Sequence, residues 1–140
     1  MTRIVDFADG FTSASAPSIS GGSLETYTLS NNQASFTNTG LSFDSSTHTS
    51  AFIDFELLRT DATPSYYSQS GKIIAAYDGT AWSIEFGNFI GDEIVADSLA
   101  SAFNVQFQIT SLGVIQYKSG NMTGGSHSCE WKLAVTRISA

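Results

Sequence analysis

The chain carries one cysteine, Cys129, so no disulfide can close within it, and a single thiol leaves the redox compartment open. Its two histidines, His48 and His127, together with that thiol fall short of the four ligands of a structural zinc site. No metal or other cofactor is expected. Basic residues are scarce, 6 Lys and Arg against 13 Asp and Glu, for a net charge of −7. Such a surface repels phosphate backbones at long range, so no nucleic-acid partner is expected. Charged residues make up only 14% of the chain, against roughly 25% in an average domain. Ser, Thr, Asn, Gln and Gly take their place. A neutral polar surface suits a particle that stays soluble over a range of salt, and equally a surface buried in an assembly. No apolar run approaches the ~20 residues of a membrane span. The N-terminal MTRIVDFADGF lacks the apolar stretch of a signal peptide. The expectation is a chain without membrane insertion, made and kept in a cytoplasm until something releases it.

What is present is alternation. Phe103, Val105, Phe107 and Ile109 share one phase, and Asn104, Gln106, Gln108 and Thr110 the other, the pattern of a strand with one buried and one wet face. A Leu112–Gly113 turn leads to a second strand over 114–118. Residues 51–58 put Ile53, Phe55 and Leu57 inward against Asp54 and Glu56. Lys72 to Tyr77, KIIAAY, is apolar in both phases, as a central or interface strand is. Asp78–Gly79 then signals a hairpin. Trp82, Ile84 and Phe86 alternate with Ser83 and Glu85, and Cys129, Trp131, Leu133 and Val135 with Glu130, Lys132 and Ala134. Tyr27 and Leu29, and the short run 34–38, add two weaker strands. Residues 92–102 fit a single helical turn or a loop. The 140 residues suffice for one domain that buries roughly 70% of its extended surface. The fold class predicted is all-β, an antiparallel β-sandwich or jelly roll over residues 26–140. Residues 1–25 read as an N-terminal arm, with the apolar Ile4, Val5, Phe7 and Phe11 followed by the breaker-rich SASAPSISGGS. An edge strand of the same domain is the alternative for this stretch.

Chemistry-bearing patterns are thin. No G-x-S-x-G elbow occurs, and His48 sits in the polar segment SSTHTS. Asp54 and Glu56 share the wet face of one strand, where a glycosidase needs facing carboxylates. Asp6, Asp9 and Gly10 give an incomplete calcium loop, and Asn121–Met122–Thr123 is a formal glycosylation triplet without a secretory signal. His127 and Cys129 read as a loop histidine beside a packed thiol. Among aromatics, Trp82 and Trp131 fit inward phases. Tyr66 and Tyr67, after Pro64, read as exposed loop contacts for a glycan. No catalytic residue is assigned.

The series GLSF (Gly40 to Phe43), WSIEFGN (Trp82 to Asn88), Gly91–Asp92, FQITSLGVIQYKSGN (Phe107 to Asn121) and Thr136 to Ile138 resembles a β-sandwich module of tailed-bacteriophage virion surface proteins. The resemblance runs from Asn31 to the C-terminus. It is carried chiefly by Ile109–Thr110–Ser111, Gly113, Gln116–Tyr117, Ser119 and Asn121. It implies a non-enzymatic virion protein, often a homotrimer, on a fibre, tail tip or capsid surface. It gives Gly113 the turn, Tyr117 a packing or capping role, and Asn121 the closure of the following loop.

The expected function is therefore a capsid decoration (cement) subunit or short fibre displayed on the particle. Its expected partners are copies of itself, in a homotrimer, and major capsid or tail proteins. Ile73, Ile74 and Tyr77 would supply the oligomer interface, and Ile4, Val5, Phe7 and Phe11 the docking arm. The competing expectation is a receptor-binding module that recognises host-surface glycans through Tyr66 and Tyr67. A hydrolase built on Asp54 and Glu56 ranks last.

Overall fold

Side chains that alternate inward and outward need a partner layer on the inward side, and here two sheets supply it to each other. The structure, a computed structural model, describes residues 19–63, 66–91 and 104–140. Its strands are β1 (Ile19–Thr28), β2 (Gln33–Ser42), β3 (His48–Thr60), β4 (Tyr66–Tyr77), β5 (Trp82–Gly91), β6 (Val105–Ile109), β7 (Val114–Ser119) and β8 (Ser128–Ser139). They form a five-stranded sheet in the order β1-β8-β3-β4-β5 and a three-stranded sheet in the order β2-β7-β6. Every pairing between them is antiparallel. Strands β3, β4 and β5 follow one another as hairpins and β8 returns beside β3, which is the order of a Greek key. The two sheets pack on each other as the antiparallel β-sandwich that the alternation predicts. Among the described residues no helix is long and apolar enough to cross a membrane.

The core is built by the predicted phases. Strand β3 buries Ala51, Ile53, Phe55 and Leu57; β8 buries Cys129, Trp131, Leu133 and Val135; the small sheet answers with Leu41, Val105, Phe107, Ile115 and Tyr117. Trp131 is fully buried at the centre. Phe107 stacks on it at 4.6 Å between ring centroids, with Phe55 and Tyr27 tilted against it at 6.3 and 6.0 Å. Such aromatic pairs add to their area burial.

Three local features differ from the sequence reading. Residues 19–25, assigned there to the arm, belong to β1, which pairs with β8 along the edge of the large sheet. The Gly21–Gly22 pair does not end the strand; it sits where the register shifts between Ser20 and Ser23, and strand glycines commonly mark such bulges. Asn104 and Gln106, expected on a wet face, are buried. The backbone carbonyl of Asn104 accepts from Gly120 N at 3.0 Å, which draws this end of β6 into a closed corner of the sandwich. The docking residues Ile4, Val5, Phe7 and Phe11, the candidate turn at 92–102, and Phe103 lie outside the described residues.

Candidate functional site

Three places merit attention: the outer face of the large sheet and the two ends of the sandwich. On the outer face, Phe52 of β3 and Ile74 of β4 stand opposite each other, 45% and 46% exposed. The next pair on that face is Asp54 with Lys72, joined by an exposed ion pair. Of the expected interface residues, only Ile74 is exposed as an interface needs. Ile73 is fully buried, because adjacent residues of a strand face opposite sides and KIIAAY cannot show both isoleucines to a partner. Tyr77 is half-buried and packs on Trp82 at 5.7 Å. Asp54 and Glu56 point outward from one strand, the former held by Lys72. Among the described residues no three His, Cys, Asp or Glu side chains gather as a metal site would require.

One end is organised by a residue that the sequence reading passed over. Arg59 continues the inward phase of β3 and is completely buried. Its Nη2 donates to Asn31 Oδ1 at 3.0 Å and to the Gly120 carbonyl at 2.9 Å, its Nη1 to the Asn104 carbonyl at 3.4 Å, and its Nε to His127 Nε2 at 3.3 Å. One guanidinium thereby ties together three connections. Asp61 adds a second tie by accepting from Thr63 N and Oγ1 and, at 3.1 Å, from Gly124 N. Tyr117 accepts from Ser30 N at 2.7 Å through its hydroxyl, and Asn121 Oδ1 accepts from Asn31 Nδ2 at 3.0 Å. Both therefore hold the corner together.

The tyrosines proposed for glycan contact also lie towards this end. Since β4 starts at Tyr66, they are strand residues on opposite faces rather than loop neighbours. Tyr66 is 66% exposed; Tyr67 is in the core at 3% and cannot contact a ligand. Cys129 is buried, and burial pushes its thiol up to about 12 despite the nearby Arg59 cation, so it stays protonated and inert.

His127 carries a pH prediction. Burial, then the Arg59 cation, hold its pKa below the ordinary 6.5, while Asp61 partly opposes them. The folded state therefore binds this proton less well than the unfolded chain. Its contribution is complete above the unfolded value and is lost as pH falls through the folded one. The urea midpoint should decline between about pH 7.5 and 5.5, and His127→Gln should flatten that slope. The carboxyls of Glu25, Asp44 and Asp78 are held below their usual range and titrate under this window. An unchanged slope in the variant refutes the assignment.

The other end holds a cleft of about 360 Å3 between the β2–β3, β4–β5 and β6–β7 connections. Phe43, Tyr77 and Trp82 form one wall, with Trp82 5.5 Å from the Phe43 ring and 5.7 Å from that of Tyr77. Asp44, Ser45, Thr80 and Ser111 bring polar groups to the rim. The three connections are fastened to one another: Phe43 N donates to the Gly113 carbonyl at 2.8 Å, and Trp82 N to that of Ser111 at 3.1 Å. Each turn is braced within itself. Asp44 Oδ1 accepts from Ser46 N at 2.9 Å, Asp78 Oδ1 from Thr80 N and Ala81 N at 2.8 and 2.9 Å, and Gly113 N donates to the Thr110 carbonyl at 3.0 Å. Sequence patterns alone did not bring these residues together, because the cleft joins residues far apart in the chain and Trp82 reads as core.

No protein-family model and no curated protein matches the chain. Solved structures do. The tailspike protein of Acinetobacter phage vB_ApiP_P1 superposes with a TM-score of 0.44 and 15% identity, over 91% of this chain and 25% of that one. The tailspike protein of Acinetobacter baumannii phage AM24 gives a TM-score of 0.43 and 12% identity, over 86% of this chain and 26% of that one. The chain thus spans about a quarter of the length of these tailspike chains. Neither likeness bears on what this chain binds or does.

Proposed function

We propose that this chain is a non-enzymatic structural module on the surface of a tailed-phage virion, a capsid decoration subunit or short fibre that works as a homotrimer. The observation that carries the reading is the use to which the signature stretch is put. Gly113 makes the turn with φ +95°, Tyr117 secures Ser30, and Asn121 secures Asn31, so its most distinctive residues fasten the sandwich and none is left presenting a reactive group. The ionisable side chains fit the same role. Glu25 accepts from Arg137 at 3.0 Å, Asp54 pairs with Lys72, and Arg59 binds the loops.

The outer face of the large sheet, with Phe52 and Ile74 beside the Asp54–Lys72 pair, is the surface proposed to meet the neighbouring copies. Light scattering on the purified chain at micromolar concentration should give three times its 14.9 kDa. Ile74→Asp, a change at a half-exposed position, should return it to a single copy with the sheet intact. A monomer mass for the parent chain defeats the trimer, and absence of the chain from purified particles by mass spectrometry defeats the virion role.

A further inference from the structure

We infer that the side chain of Leu24 seats in a hollow between Phe52 and Ile74 of a neighbouring copy of this chain. The inference rests on the trimer proposed above and names the two surfaces that make it. Residues paired across a sheet share a face, and the register sets Leu24 beside Ala134, Ala134 beside Asp54 and Asp54 beside Lys72. Leu24 therefore points from the edge strand β1 to the same outer side as Phe52 and Ile74. It is 88% exposed, the most exposed large apolar side chain among the described residues. Its partner on β8 is Ala134, too short to shield it.

The hollow lies two to three strands away, with a volume of about 70 Å3. Phe52, Asp54, Lys72 and Ile74 rim it. Ile53 and Ile73, whose side chains face the core, offer it only their backbone. Ligand sites take roughly 300 Å3 or more, so this one suits the end of a single side chain. Strands spaced by about 4.8 Å put Leu24 roughly 10–14 Å from it. A leucine cannot cross that distance within its own sheet, so the knob fills the hollow of another copy.

Charge favours a second copy over a charged partner. Asp54 and Lys72 pair with each other at the rim, and Glu85 stands opposite Ile74 on β5. A cationic group would compete with Lys72 for Asp54, and an anionic one would meet Glu85 on a chain whose net charge is −7. An uncharged aliphatic side chain leaves the pair intact. Symmetry then fixes the form of the contact. A knob that fits a hollow elsewhere on the same molecule makes a heterologous contact, which repeats from copy to copy and closes into a ring where the rotation allows. A trimer is such a ring, with the β1 side of each face against the β3–β4 side of the next. Strand spacing and rise give a five-stranded face of ten-residue strands about 800 Å2, close to the roughly 800 Å2 that one partner contributes to a standard interface.

The test uses the full chain in four variants. Leu24→Cys/Ile74→Cys, treated with a short bis-maleimide, should give a band of three chain masses on a denaturing gel, while each single cysteine variant stays at one. Cys129 is buried and its thiol is pushed up to about 12, so the added thiols are the ones that react. Leu24→Ser, at an exposed edge position, should weaken assembly about tenfold or more, read as the shift in the concentration at which light scattering passes from three copies to one. Leu112→Ser, at the other highly exposed leucine, should leave that concentration unaltered. A parent chain that scatters as a single copy refutes the trimer and this contact with it. A trimeric parent whose Leu24→Ser variant assembles equally well leaves the trimer standing and overturns the contact. So does cross-linking of Leu24→Cys alone into pairs, which would place two copies about a two-fold axis over the groove of about 380 Å3 that Leu24 itself lines with Ala134.

Discussion

Arg59→Ala should lower the stability of the chain by about 3–5 kcal/mol, a large part of the roughly 5–15 kcal/mol that holds a domain of this kind together. Two losses combine. Truncating a long, completely buried side chain in a packed wall removes contacts that the surroundings cannot fully replace. The acceptors left behind also lose a charged donor, though each keeps a backbone one: Asn32 N on the Gly120 carbonyl, Gly120 N on the Asn104 carbonyl and Met122 N on Asn31 Oδ1. Arg59→Lys should recover only part of the loss, because a point cation cannot span acceptors that a planar five-donor fork reaches together. Urea denaturation followed by tryptophan fluorescence gives the global value. Hydrogen exchange at 120–127 and 29–32 should show those connections opening first, since they are what the guanidinium ties. A midpoint within about 1 kcal/mol of the parent for Arg59→Ala would mean that the corner is held by other groups.

That corner also shows where a sequence can be read and where it cannot. Strands β3, β6, β7 and β8 were legible because each alternates apolar with polar residues, and the inward phase of β3 at 51, 53, 55 and 57 extends without a break to 59. Arg59 could have been found by that continuity. It was missed because an arginine usually marks the wet face, and what makes it tolerable inside is a set of carbonyl partners supplied from elsewhere in the chain. The start of β4 was illegible for the opposite reason. Tyr66 to Gly71, YYSQSG, has no apolar rhythm; it is a strand because β3 offers a complete ladder from Thr60 opposite Tyr66 to Phe55 opposite Gly71. Once it is a strand, Tyr66 and Tyr67 are forced to opposite faces. The same rule separates Ile73 from Ile74. Periodicity identified KIIAAY as a strand, yet which isoleucine faces the core depends on the register with β3, where Ile53 meets Ile73 and Phe52 meets Ile74. The cleft was beyond reach altogether, because Phe43, Thr80 and Ser111 are brought together only by the packing of one sheet on the other.

Gly113→Ala should destabilise the chain through a single added carbon. The residue has φ +95°, a conformation in which a side chain costs roughly 1–2 kcal/mol, and a Cβ there would overlap the carbonyl oxygen of Phe43 and press on the Trp82 indole at 3.0 Å. To relieve the overlap the β6–β7 turn must lift away from the β2–β3 connection. The hydrogen bonds from Phe43 N to Gly113 O and from Trp82 N to Ser111 O lengthen or break as it does, at about 0.5–1.5 kcal/mol each. The sum is about 2–5 kcal/mol, and the same two bonds hold the cleft in shape. Gly79→Ala supplies the internal comparison. Its φ is +99°, nearly the same, but nothing lies within 4 Å of the added carbon. It should therefore lose only the conformational part, about 1–2 kcal/mol, with the cleft walls unmoved. The difference between the two urea midpoints isolates the close approach of Gly113 to Phe43 and Trp82. Equal losses in the two variants would show that the β6–β7 turn moves aside freely and that the three connections are only loosely fastened to one another.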